Sequence, residues 1–180
     1  MRRRDFLPIL AAPLALAQNT GIVPPVPRKG RIKQGITRGV FAREMSLEDC
    51  CREAAHLGIK GFDLIGPADW PLLKKYGLVP SMYPLGPGGT IADALNAPAN
   101  HAKLEASMRA AIDESAAARV PNVITFSGNR RGMDDRAGAD NCVTFLNKVK
   151  AQAEDKHVTI CIEYLNSKVN HKDYMFDHIS

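Results

Sequence analysis

One carboxylate, Glu163, closes the apolar run VTICI and is followed at once by the polar stretch YLNSKVNHKDYMFDH. Ending a buried strand on an acid places a charge at the rim of a partly desolvated bowl, where it must be paired, metal-bound or protonated. Such a group does general acid or base chemistry, or ligates a cation. The structural alternative for Glu163 is a salt bridge to Arg130 or Arg131. The polar stretch adds Asn166, Lys168, His171, Asp173, Asp177 and His178. His171 and His178 are seven residues apart, a spacing that suits one helical face, although for any one of these residues an exposed loop position is the commoner outcome. No H-x-x-x-H or H-E-x-x-H pattern occurs, so spacing alone identifies no metal centre.

Other stretches carry weaker chemistry. Arg130 and Arg131, in the loop SGNRRGMDDRAG, are suited to an anionic substrate, and a solvated loop explains them equally well. The segment GPGG lacks the lysine of a P-loop, GNRRG is no dinucleotide fingerprint, and no serine nucleophile elbow is present. Trp70, the only tryptophan, follows a predicted strand and suits either the wall of a small-molecule pocket or a cover over the rim.

The elements that position these groups alternate regularly. Predicted strands are Lys33 to Thr37, Gly61 to Ile65, Leu78 to Tyr83, Asn122 to Phe126 and Val158 to Glu163. Between them lie a helix capped by Ser46 and stopped at Gly58, a short one capped by Asp69 over Pro71 to Tyr76, and a long one from Pro98 to Ala118. The fourth opens at Cys142 and carries Val143, Leu146, Val149 and Ala153 on its core face. The loop PLGPGGTIADALNAP between the third strand and the third helix is long enough to be functional. Strands alternating with helices imply right-handed crossovers and a parallel sheet, either doubly wound or a (β/α)8 barrel. The fifth strand has no closing helix after it, which favours the first five units of a barrel, a fold of typically ~250 residues.

A hydrophobic content of 45% supports one globular domain and excludes a disordered or fibrous class. The net charge is +5, of which residues 1–17 supply +2 through Arg2, Arg3, Arg4 and Asp5. What remains is too small and dispersed to bind nucleic acid. Residues 1–17 read as a signal peptide, with the 12-residue apolar run FLPILAAPLALA ending in Ala15-Leu16-Ala17. Arg3-Arg4-Asp5-Phe6-Leu7 resembles the twin-arginine export signal, which implies a periplasmic or secreted protein with no stable membrane anchor after cleavage. The alternative is a basic terminus on a short anchor. Residues 18–30 read as a proline-rich linker. The four cysteines lack C-x-x-C spacing and fall on predicted helices and a strand, so they are expected reduced and buried.

The block ICIEYLNSKVNHKDYMF, together with GIKGFDLI after the first helix and PNVITFSGN at the fourth strand, resembles the hydroxypyruvate isomerase branch of the xylose isomerase-like (β/α)8 sugar isomerases and epimerases. That family ends its fifth strand in Ile-Glu-Pro-x-Asn. Glu163 and Asn166 match, and Tyr164 stands in place of the proline. The resemblance covers roughly residues 31 to 178 and implies an isomerase acting on a small carbonyl or sugar substrate. In such an enzyme Glu163 is both catalytic residue and metal ligand to Mg or Mn, and a proton moves through an enediolate. Asn166, Arg130 and His171 are the residues expected at the substrate. The family's other metal ligands belong to strands six to eight, so a chain of five strands is expected to be inactive and poorly soluble alone. The resemblance leaves room for a homo-oligomer. Rival readings are a ketose 3-epimerase and a non-catalytic, degenerate barrel that binds a small carbohydrate. An apurinic endonuclease of the same superfold is disfavoured by the modest charge and the export signal.

Overall fold

The structure, a computed structural model, describes residues 30–84 and 86–179. The signal peptide predicted over 1–17, and all but Gly30 of the linker predicted over 18–30, therefore lie outside the described residues. Five strands alternate with four helices: β1 (Gly35–Thr37), α1 (Leu47–His56), β2 (Gly61–Asp63), α2 (Trp70–Lys75), β3 (Val79–Met82), α3 (His101–Ala118), β4 (Asn122–Thr125), α4 (Asp135–Asp155) and β5 (Thr159–Ile162). Pairing is parallel throughout, β1 to β2 to β3 in one sheet and β4 to β5 in another. A single parallel bridge between Tyr83 and Val123 joins the two. Each strand thus lies beside its predecessor with no reversal of order. A doubly wound sheet reverses at a switch point, whereas a barrel runs in sequence.

The helices cover the outer face of the strands. Cys50, Cys51 and Ala54 of α1, Leu73 of α2, Leu104, Met108, Ala111 and Ile112 of α3, and Phe145 and Val149 of α4 are buried against Phe62, Val120, Val123 and Val158. At its start α1 has a good cap, because the Ser46 hydroxyl accepts the Asp49 amide at 3.0 Å. Leu104, Met108, Ala111, Ile112 and Ser115, which recur at helical spacing on one face of α3, are all buried. The cysteines are free, with Cys50, Cys51 and Cys142 buried and Cys161 half-buried. Burial pushes the Cys51 and Cys142 thiols up to about 11, so both stay protonated at neutral pH. Among the described residues no helix is long and apolar enough to cross a membrane.

Three local expectations are corrected. Asp69 does not cap α2 with its side chain, because a 3-10 turn over Pro67–Asp69 feeds the chain into the helix and leaves Asp69 itself in helical conformation. The fourth helix starts at Asp135, well before Cys142, and is capped by Asp134, whose carboxylate accepts the Arg136 and Ala137 amides at 3.0 and 3.1 Å. Gly138, which reads as a breaker, is a packing position instead: a Cβ there would lie 2.1 Å from the Met175 sulfur. The buried stripe of α4 is therefore Gly138, Cys142, Phe145, Val149 and Ala153, and Val143 is 54% exposed. Finally, residues 164–179 form turns and bends, so no helical face brings His171 and His178 together.

Candidate active site

Glu163 follows the last residue of β5. Side chains alternate along a strand, and Ile160 and Ile162 point outward, the first into the helix-covered core and the second onto α4. Cys161 and Glu163 consequently face the lumen. The Glu163 amide donates to the Thr125 carbonyl at 2.9 Å, and its own carbonyl accepts the Tyr174 hydroxyl at 2.7 Å. Main-chain bonds thus tie the residue on both sides. Its carboxylate, half-buried, takes no hydrogen bond or ion pair from a described residue. The arginines proposed as its partners are engaged elsewhere, Arg130 with Asp135 and Asp177 and Arg131 with Asp93.

Arg130 is a clamp. Its guanidinium donates to the carbonyls of Tyr174 and, at 3.1 Å, Met175, and pairs with Asp135 at 2.6 Å and Asp177 at 3.0 Å. Of its five donors most are spent within the chain, on two carbonyls and two carboxylates, which fits a clamp better than an anionic-substrate site. The ion pairs hold the guanidinium firmly charged, Asp135 first. Asp177 is held well below the usual carboxylate range by hydrogen bonds from Ser167, then His178, then Arg130. Residues 173–176, gripped in this way, run back antiparallel to 127–130 as a strap: Arg130 N–H meets the Asp173 carbonyl at 2.7 Å, Met175 N–H the Gly128 carbonyl at 3.0 Å, and Phe176 N–H the Ser127 hydroxyl at 3.0 Å.

Asn166 and His171 take other places. The Asn166 side chain accepts the amides of Lys168 and Val169 at 2.9 and 3.2 Å and so shapes the turn after β5, while its amide NH2 stays exposed to solvent. His171 is half-buried, its backbone closing that same turn onto the Asn166 carbonyl at 3.0 Å. The structure therefore brings Glu163, Ser127, Arg130 and Tyr174 together and leaves Asn166 and His171 on the turn that leads into the strap.

Phe126 and Glu163 follow the last paired residues of β4 and β5, Thr125 and Ile162. A cavity of about 490 Å³ opens beside Phe126, walled by Gly86, Gly89, Thr90, Ile91 and Ala92 of the long loop after β3. The loop reaches this place because Gly88 passes directly over β4, where a Cβ would meet the Ile124 carbonyl at 2.6 Å. A second groove of about 330 Å³ runs between α4 and the strap, beneath Ile162. It lies outside the lumen, on the wrong face of β5 for chemistry at Glu163. Deeper in the lumen, Ser81 donates to Asp63 and Asn122 donates to the Ser81 carbonyl at 2.7 Å. Trp70 is covered: its indole donates to the Ile65 carbonyl at 2.8 Å and its ring meets Tyr83 edge-on at 5.7 Å. It closes the outer core rather than walling a pocket.

A divalent metal needs several oxygen donors, near-octahedral in the case of Mg²⁺. Among the described residues no group of three or more His, Cys, Asp or Glu side chains gathers. Glu163 alone does not fit such an ion.

Tyr174, Ser127 and the buried Asn96 are absent from the sequence reading. Asn96 donates to the Asn129 carbonyl at 2.7 Å and accepts, through its own carbonyl, the Asn141 side chain at 2.9 Å, so it knots the long loop to the exit of β4. Only Tyr174 left a sequence signal, as the start of the apolar triplet Tyr-Met-Phe inside a polar run.

No protein-family model matches the chain, and no curated protein matches it by sequence. Solved structures do match. The chain superposes on an AP endonuclease, family 2, from Brucella melitensis with a TM-score of 0.64 at 17% identity, covering 81% of this chain and 60% of that one. The fold is that of the (β/α)8 barrel, carried to its fifth strand. A D-psicose 3-epimerase from Clostridium cellulolyticum gives 0.58 at 16% identity, with 78% and 55% covered. The 3-keto-D-glucoside 4-epimerase of E. coli gives 0.59 at 15%, with 80% and 58% covered. The chain thus spans a little over half the length of these barrel enzymes.

Proposed function

We propose that this chain is the N-terminal part of a barrel enzyme that isomerises or epimerises a small carbohydrate, with Glu163 as a proton-transfer group. The observation that carries the reading is the state of Glu163: fixed through its main chain at the strand end, its carboxylate without a hydrogen bond or ion pair among the described residues. The carboxylate takes a proton from the carbon beside a carbonyl, the C–H electrons move into the carbon–carbon bond, and the carbonyl oxygen gains the charge of an enediolate. Return of the proton to the former carbonyl carbon, with the hydroxyl proton passing from the neighbouring oxygen to the former carbonyl oxygen, gives an isomer; return to the other face of the same carbon, the carbonyl re-forming, gives an epimer. The group that stabilises the oxygen charge and the partner that completes the proton return belong outside the described residues. The resemblance of the fifth-strand block points within this chemistry to the hydroxypyruvate isomerase type, with Mg or Mn held by a complete barrel. The superposed D-psicose 3-epimerase supports the ketose 3-epimerase alternative. A periplasmic or secreted location through twin-arginine export, a small carbonyl or sugar substrate, room for a homo-oligomer and no role on nucleic acid complete the proposal.

The test is hydrogen exchange from solvent. Hydroxypyruvate and a panel of free ketoses are incubated in D2O with Mg²⁺ or Mn²⁺, using the natural gene product together with any coding sequence that continues its frame. Deuterium appearing at the carbon beside the carbonyl, and abolished by Glu163→Gln, is the expected result. Undiminished exchange in Glu163→Gln refutes the assignment of the base. Binding of a sugar without exchange selects the non-catalytic barrel, and cleavage of abasic DNA selects the endonuclease reading.

A further inference from the structure

We infer that Tyr174 is the positioning residue for Glu163, an assignment that rests on the reading of Glu163 as the proton-transfer group. Its ring is fully buried against Ala94 and Phe126. Its hydroxyl accepts the Ser127 amide at 3.0 Å and donates to the Glu163 carbonyl at 2.7 Å. One oxygen therefore bridges Ser127, two residues beyond β4, and Glu163, the first beyond β5, above the point where ladder pairing stops, since the last strand-to-strand bond there is Glu163 N–H to the Thr125 carbonyl. Past the end of a ladder a parallel pair has no main-chain bonds to hold the two exits at a fixed separation. The phenol supplies that missing rung.

The hydroxyl is delivered to this place independently of the bonds it makes. The strap carrying Tyr174 is fixed by main-chain bonds to Gly128 and Arg130, by Phe176 N–H to Ser127, by Leu165 N–H to the Phe176 carbonyl at 3.2 Å, and by the Arg130 guanidinium. Gly138 offers the space Met175 needs. Replacing Tyr174 by Phe consequently deletes one oxygen and leaves the strap in place. Because the carboxylate of Glu163 has no partner among the described residues, its direction follows its backbone, and that backbone is what the phenol holds. Burial keeps the Tyr174 phenol protonated, with the nearby Glu163 charge acting the same way, so the bridge persists across the neutral range.

The experiment compares the protein with its Tyr174→Phe variant by NMR. Three-bond couplings at Glu163 report its side-chain rotamer. A single rotamer is expected in the parent and averaging over two or more in the variant, with the Ser127 amide exchanging roughly tenfold faster and the Arg130 amide, bonded to Asp173, keeping its protection. A residue serving stability alone would lower the melting temperature and leave the Glu163 couplings at their parent values; that result overturns the assignment. In the parent itself, the Tyr174 hydroxyl proton is expected as a slowly exchanging resonance with cross-peaks to the Ser127 amide, and its absence overturns the bridge even where the variant does not fold. With a substrate turned over in D2O, Tyr174→Phe is expected to lower kcat at least about tenfold with KM within about twofold; a change in KM alone counts against positioning. Absence of turnover by the parent carried together with any coding sequence that continues its frame defeats the proton-transfer reading, and the couplings still decide what Tyr174 does.

Discussion

Arg130→Met separates two jobs for one arginine. If Arg130 holds the strap, the substitution removes two bonds to carbonyls and two ion pairs at a side chain only 21% exposed, while the methionine stem keeps much of the packing. Hydrogen bonds from a charged group contribute about 1.5–3 kcal/mol each, but the two carbonyls lie near the surface and regain water, so the net loss is set at about 3 kcal/mol. For a domain of this size that lowers Tm by roughly 6–12 °C. Arg130→Lys restores the charge without the fork, which spans carbonyls and carboxylates together, and is expected to recover about half of the loss. The assay is thermal unfolding by circular dichroism alongside binding of hydroxypyruvate and a neutral ketose. A melting temperature within a degree or two of the parent, with loss of binding confined to the anionic compound, refutes the clamp and restores the substrate role.

Further expectations follow from single contacts. The Ser115 hydroxyl is the one buried side-chain oxygen or nitrogen among the described residues with no hydrogen-bond partner, so Ser115→Ala removes an unmet polar group and adds helix propensity; denaturant unfolding should show a gain of about 1 kcal/mol. Gly128 has φ +101° and a Cβ there would lie 2.2 Å from the Asn96 amide oxygen, so Gly128→Ala should cost about 3 kcal/mol, read as a drop in the urea midpoint without a change in slope. Asp177 has a folded pKa below its unfolded one. Its contribution is complete above about pH 5 and is lost as pH falls below about 4. Acid titration of unfolding should therefore be shallower for Asp177→Asn below pH 4, and equal slopes would remove Asp177 from the acid response.

How much of this was legible depended on whether a local signal and the tertiary context agreed. Ser46 capping α1, the five-residue inner stripe of α3 and the order of the strands were readable because each rests on spacing along one element. The start of α4 was not. Gly132 and Gly138 look alike in sequence, but only Gly132 has a positive φ, and Gly138 sits in the helix because Met175, 37 positions away, occupies the space its side chain would fill. Arg130 beside a glycine loop looks like an anion site, and only the return of residues 173–177 reveals what its donors are for. Glu163 was found from the end of its strand, while Tyr174, which touches it, was hidden in a run dominated by charged neighbours. Sequence spacing reports what a residue does within its own element, and these errors all concern contacts made between elements.

The single bridge between Tyr83 and Val123 has a mechanical meaning. On one side stand three strands with full ladders, on the other two, and across the seam the described residues add the Asn122 side-chain bond to the Ser81 carbonyl and one main-chain bond, Tyr83 N–H to the Asn122 carbonyl at 2.8 Å. A sheet opens first where its rungs are fewest. Amides of β4 and β5, Glu163 among them, should therefore exchange as a cooperative block distinct from β1 to β3, with α3 spanning the joint as a splint through the Tyr83 hydroxyl to Glu114 at 2.5 Å. The site would then swing as one piece with its strap, so that strain at this hinge alters where Glu163 points relative to the first three strands without disturbing the bonds that hold it locally.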